Sequence, residues 1–127
     1  MGKTDMLLPI QYALTHPERR AAPIEPLDLV KLHQLTFAAP DRESFPCLDL
    51  CYEAGSKGGT APAALNAANE EAVAAFLAGH IGFLEIGELN RRVLDACNAQ
   101  EVVDIEQVFT EDDRARRQAR EWIAQQA

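Results

Sequence analysis

The chain has 127 residues, 47% of them hydrophobic and 25% charged, which suits one globular domain with or without a tail and excludes a two-domain enzyme of ordinary build. Its net charge of −8 argues against nucleic acid or an anionic membrane surface as a partner, because either would repel it. No apolar run approaches the roughly 20 residues needed to cross a bilayer.

Aromatic residues are few and alanines many, which predicts close-packed helices rather than sheets. Residues 1–17 are apolar, and residues 10–14 fit about one and a half helical turns before Pro17 ends them. Met6-Leu7-Leu8, followed by Pro9, is too short for the core of a signal peptide. Residues 18–41 hold Pro23, Pro26 and Pro40 and no useful helical period. Within them, residues 27–32 alternate in part and are expected to lie extended, as a tethered linker whose Leu27, Leu29, Leu32, Leu35 and Phe37 want burial.

From residue 42 the period becomes helical. Pro46 sits in a tolerated first-turn position, Cys47, Leu48, Cys51 and Ala54 share one face, and Gly58-Gly59 ends the helix. Thr60 is expected to cap a second helix with Pro62 in its first turn and a stripe of Leu65, Ala68, Ala72, Val73, Phe76 and Leu77, stopped by Gly79. A third helix carries Ile86, Leu89, Val93, Leu94 and Cys97. After a short segment over 103–108, Thr110-Glu111-Asp112-Asp113 reads as a capping box opening a fourth helix, with Ala115, Ala119, Trp122 and Ile123 buried. Arg116 and Arg117 follow Asp112 and Asp113 by four residues, so the basic cluster 114–117 is neutralised locally. Four amphipathic helices with short connections imply a small bundle. The predicted fold is mainly α.

Few residues are placed for chemistry. Gly58-Gly59-Thr60 is the nearest approach to a phosphate loop, but no strand precedes it and it reads as a helix–helix turn. Asn66, Asn69 and Glu70, at i, i+3 and i+4, share a helix face, either aimed into a cleft or hydrogen-bonded to a neighbouring loop. Cys47 and Cys51 could join Cys97 or His80 around zinc, but their spacing suits small buried residues better. His16, His33 and His80 have no nucleophile or paired carboxylate close in sequence. An odd number of cysteines without a scaffold pattern predicts a reducing, cytoplasmic setting. The residues supply no catalytic set and no metal ligands.

An ordered series of short motifs carries a family resemblance over nearly the whole chain. Gly2-Lys3-Thr4-Asp5-Met6-Leu7-Leu8-Pro9-Ile10 opens it; Pro26-Leu27-Asp28-Leu29, Leu35-Thr36-Phe37 and Phe45-Pro46-Cys47-Leu48 follow. Ala64-Leu65-Asn66-Ala67-Ala68-Asn69-Glu70 and Ile81-Gly82-Phe83 complete it. This set resembles the C-terminal part of the 1-deoxy-D-xylulose 5-phosphate reductoisomerases of non-mevalonate isoprenoid synthesis. The resemblance implies residues 1–17 as the tail of an α/β catalytic domain, 18–41 as the linker and 42–127 as the C-terminal helical bundle. It also implies NADPH and Mg²⁺ or Mn²⁺ as cofactors of the full-length enzyme, a homodimer, and the remainder of the reductoisomerase as the partner of this chain. Met6 matches the methionine beside the nicotinamide, whereas Thr4 and Leu7 replace the family's proline and arginine around it. The family's Gly-rich, Asp-Ser-Glu and Asn-Lys motifs do not occur here, so the chain reads as a fragment, structural in role and inactive alone. The alternative is a free-standing helical module that binds a protein partner through its apolar linker.

Overall fold

A computed structural model describes residues 3–126, and Gly2 of the opening motif lies outside them. The chain divides into two units, Met1–Ala39 and Pro40–Ala127. Among the described residues all regular structure is helical, in agreement with the mainly α reading.

In the first unit, α1 spans Leu7–Thr15 and is longer than the five residues expected. Asp5 Oδ1 accepts the Leu7 N–H at 2.6 Å, and Pro9 falls where a helix needs no backbone donor, so the helix starts earlier than the prolines suggest. The segment expected to be extended instead contains one helical turn, α2, Leu29–Leu32. The reason is local: Asp28 caps it, its Oδ1 accepting the Val30 and Lys31 N–H groups at 3.0 and 3.1 Å. None of the described residues of this unit is buried.

The second unit holds α3 (Cys47–Lys57), α4 (Ala61–Leu77), α5 (Phe83–Asp95) and α6 (Ile105–Ala124). Helix α4 packs against the other three. Its buried positions are Ala61, Ala64, Leu65, Ala67, Ala68, Ala72 and Ala75, nearly all alanine. Alanine costs least in a helix and, lacking bulk, lets neighbouring backbones come close. Against this stripe lie Ile86, Leu89 and Val93 of α5 and Ala115, Ala119 and Trp122 of α6, as their spacing predicts. A second cluster joins Leu50 and Ala54 of α3 to Ala61, Leu65 and Leu94.

Four expectations are corrected. Val73, Phe76 and Leu77 are not core residues; the alanine stripe takes the inner face and turns them outward, leaving Phe76 36% exposed. On α3 the buried pair is Leu50 and Ala54, while Leu48 and Cys51 face out. Helix α6 begins five residues before Thr110, because Asp104 caps it by accepting the Gln107 N–H at 2.9 Å and Gln107 Oε1 accepts the Val103 N–H at 2.9 Å. Thr60 does precede α4, but its hydroxyl makes no cap. It accepts the Gln100 N–H at 3.2 Å, and the Thr60 N–H donates to the Gln100 carbonyl at 3.0 Å, tying the α3–α4 turn to the α5–α6 connection.

That tie requires glycine at one position. Gly59 has φ +54°, and a Cβ there would stand 2.1 Å from the Gln100 carbonyl oxygen. Gly59→Ala is therefore expected to destabilise the fold by more than about 2 kcal/mol, through strain and a broken turn. Gly55 lies within α3 with nothing within 4 Å of such a Cβ, and Gly55→Ala is expected to stabilise by about 0.5–1 kcal/mol. Urea unfolding of the two variants measures this; equal effects would contradict the close approach at Gly59.

Candidate functional site

Helix α4 presents its polar side chains on two flanks of the alanine stripe. On the flank nearest α3 and α5, Asn69 Oδ1 accepts from Asn90 Nδ2 at 3.0 Å. Asn90 is 1% exposed, and the same nitrogen lies 3.8 Å from Cys47 Sγ, so one amide links α3, α4 and α5. Its Oδ1 is buried and has no hydrogen-bond partner among the described residues. These groups wall an open cleft of about 430 Å³ that also takes in Cys51, Leu65 and Asn66. Asn66 itself donates to Glu70 Oε1 at 3.1 Å. Asn66 and Asn69 thus share this cleft, whereas Glu70, expected on the same face, turns to α6, and the partners of Asn69 and Glu70 lie on helices rather than on a loop.

On the other flank Glu70 and Glu71 meet α6. Arg116 reaches Glu70 at 2.7 Å, Glu71 at 3.3 Å and Asp112 at 2.6 Å. Arg120 grips Glu71 through Nε at 2.9 Å and Nη2 at 2.7 Å. The Arg120 hydrogen bond, joined by Arg116, holds the Glu71 carboxyl below the usual carboxylate range, and Arg116 with Asn66 does the same for Glu70. Arg116 is in turn pushed up, by Asp112 first and then by Glu70. The local neutralisation expected of residues 114–117 is present for Arg114, paired with Glu111 at 2.5 Å, and for Arg116, paired with Asp112; among the described residues Arg117 forms no ion pair with Asp113, and Arg116 and Arg120 also cross to α4. Burial pushes the Cys97 thiol up, with Glu111 beside it adding to the shift.

The remaining candidates lie apart. Met6 sits just before α1 and is 74% exposed, its carbonyl accepting the Ile10 N–H at 3.1 Å. Gly58-Gly59-Thr60 is a helix–helix turn engaged with Gln100. Among the described residues no group of three or more His, Cys, Asp or Glu side chains could hold a metal ion. Two residues escaped the sequence reading. Asn90 interrupts the apolar face of α5 one turn after Ile86, a signal that was readable. Arg120 pairs with a residue 49 positions away, which local spacing does not reveal.

The second unit is thus a helical domain in which Asn69, Glu70 and Glu71 of α4 fasten it to α5 and α6. The chain belongs to the DXP reductoisomerase C-terminal domain family, whose pattern matches residues 1–118. The 1-deoxy-D-xylulose 5-phosphate reductoisomerase of Nitrosomonas eutropha is 50% identical over 127 residues, which are 100% of this chain and 31% of that protein. The solved reductoisomerase from Zymomonas mobilis, in complex with NADPH, is 45% identical with a TM-score of 0.86, over 97% of this chain and 32% of that one. Another, in complex with NADPH, fosmidomycin and magnesium, is 38% identical with a TM-score of 0.83, over 98% of this chain and 33% of that one. The chain spans about a third of the length of these relatives.

The seam between α4 and α6 sets an acid limit on stability. Glu70 and Glu71 have lowered pKa values in the fold, so their contribution is complete above the unfolded carboxylate pKa and disappears as pH falls through the folded values. Thermal unfolding is expected to be flat above about pH 5 and to fall below it, and Glu71→Gln is expected to lower stability most at neutral pH and to flatten that acid slope. A slope that the variant leaves unchanged would remove Glu71 from the seam.

Proposed function

We propose that the chain is the C-terminal part of a 1-deoxy-D-xylulose 5-phosphate reductoisomerase, the enzyme that converts this substrate to 2-C-methyl-D-erythritol 4-phosphate with NADPH in isoprenoid synthesis. Residues 1–17 are the tail of its catalytic domain, 18–41 the linker and 42–127 the helical bundle, and the full-length enzyme works as a cytoplasmic homodimer. The observation that carries this reading is the match to known reductoisomerases along essentially the whole chain and only a third of theirs. The bundle's task is support: its buried alanines, its asparagine bridge and its arginine seam give a rigid body.

The described residues do not fit the divalent cation, since no cluster of ligands exists among them, and we assign the Mg²⁺ or Mn²⁺ site to the rest of the enzyme. For NADPH this chain offers Met6, whose exposed thioether suits the face or edge of a nicotinamide ring. NADPH, when bound, supplies the hydride; Met6 contributes an apolar wall that positions the ring.

The 127 residues alone are expected to oxidise no NADPH in the presence of substrate and Mg²⁺, while the longer polypeptide containing them turns over. Turnover by the short chain would overturn the supporting role. In the longer protein Met6→Ala is expected to raise KM for NADPH about fivefold, the loss of one sulfur–ring contact worth about 1 kcal/mol. An unchanged KM would take Met6 out of the nicotinamide site.

A further inference from the structure

The outward turn of Val73 and Phe76 leaves an apolar groove that the bundle itself does not fill. Its walls are Phe45 just before α3, Val73 of α4, and Phe83 and Leu84 at the start of α5, around a space of about 580 Å³. Phe45 is 58% exposed, Phe83 56% and Leu84 69%. Phe76 extends the surface, its ring edge-on to Phe83 with centroids 5.8 Å apart. The floor is close-packed: a Cβ on Gly87 would lie 3.0 Å from Pro46 Cγ. A contiguous aromatic surface of this kind normally marks an interface.

The rim says what kind of partner fits. Glu43 and Glu88 border the groove, both exposed, and neither forms an ion pair among the described residues. Elsewhere on the bundle Glu53, Glu70, Glu71 and Glu111 are paired with arginine, while Glu85, Glu101, Glu106 and Glu121 are, among the described residues, as free of ion pairs as the rim pair but lie outside the groove's lining. Groove-to-groove pairing of two copies would bring these bare carboxylates together on bodies of net charge −8, which opposes association. An apolar segment flanked by lysine or arginine would fill the groove and neutralise its rim.

We infer that this groove is the seat for such a segment from the part of the reductoisomerase polypeptide that its relatives carry outside this chain. The relatives hold about two thirds of their length there, ample for a segment to cover it. The inference rests on the reading that this chain is part of that longer enzyme.

Hydroxyl-radical footprinting tests it, comparing the 127-residue chain with the longer polypeptide and reading Phe45, Phe83 and Leu84 by mass spectrometry. Modification of the three is expected to fall roughly threefold or more in the longer protein, as at the desolvated centre of an interface. Val103, exposed in the connection between α5 and α6 and outside the groove's lining, is expected to keep its rate. Equal rates in both proteins, or an equal loss at Val103, would overturn the inference. Protection already present in the short chain would also overturn it: concentration-dependent protection would assign the groove to a second copy, and concentration-independent protection to the chain's own residues. Glu43→Lys with Glu88→Lys in the longer protein is expected to restore much of the groove's reactivity; unchanged protection would overturn the basic character of the partner. NADPH turnover by the longer protein is read separately, so an active enzyme with an unprotected groove refutes this inference and leaves the functional reading intact.

Discussion

Everything in the bundle depends on α4 being a helix of alanines. Six alanines of this one helix, at 61, 64, 67, 68, 72 and 75, are almost wholly buried, and three other helices close on them. Such a stripe contributes little transfer free energy per residue, because each alanine removes little apolar area from water. What it contributes is proximity. Larger partners such as Leu89, Val93, Leu94 and Trp122 can pack down to the α4 backbone, and any added methyl groups on α4 would collide with them.

That constraint organises the polar chemistry. With the inner face reserved for alanine, the charged and amide groups of α4 fall on its flanks, where they meet neighbouring helices. Asn69 fastens α5 through Asn90, and Glu70 and Glu71 fasten α6 through Arg116 and Arg120. The bulky apolar residues of α4 are displaced to the remaining face, where Val73 borders an unfilled groove with Phe83 and Phe76 stands edge-on to Phe83 beside it. A close-packed core, two polar fasteners and one open apolar surface are consequences of one residue choice.

Much of this was readable in the sequence. The faces of α5 and α6 follow from Ile86, Leu89 and Val93 and from Ala115, Ala119 and Trp122, where apolar spacing and burial agree. At α4 hydropathy and burial part for a physical reason: hydropathy ranks phenylalanine and leucine above alanine, whereas close helix packing selects for size. At α6, Thr110-Glu111-Asp112-Asp113 and Asp104-Ile105-Glu106-Gln107 both offer capping chemistry, and the earlier one wins because Asp104 and Gln107 satisfy two backbone donors together. Arg116 and Arg120 illustrate the limit of local reasoning, since spacing shows the pairing with Asp112 but not those with Glu70 and Glu71. Met6 is known only through family resemblance, for no pattern in its surroundings distinguishes it from a packing residue.

Residues 42–127 form a body that holds itself together, with a core drawn from α3 to α6 and from Ile81 in the α4–α5 connection. The direct measurement is thermal unfolding of residues 42–127 alone, followed by circular dichroism at 222 nm. A strongly helical spectrum and a single cooperative transition are the predicted result. A flat, non-cooperative melt would contradict the account, since it would mean that the alanine-centred core cannot form without the preceding residues.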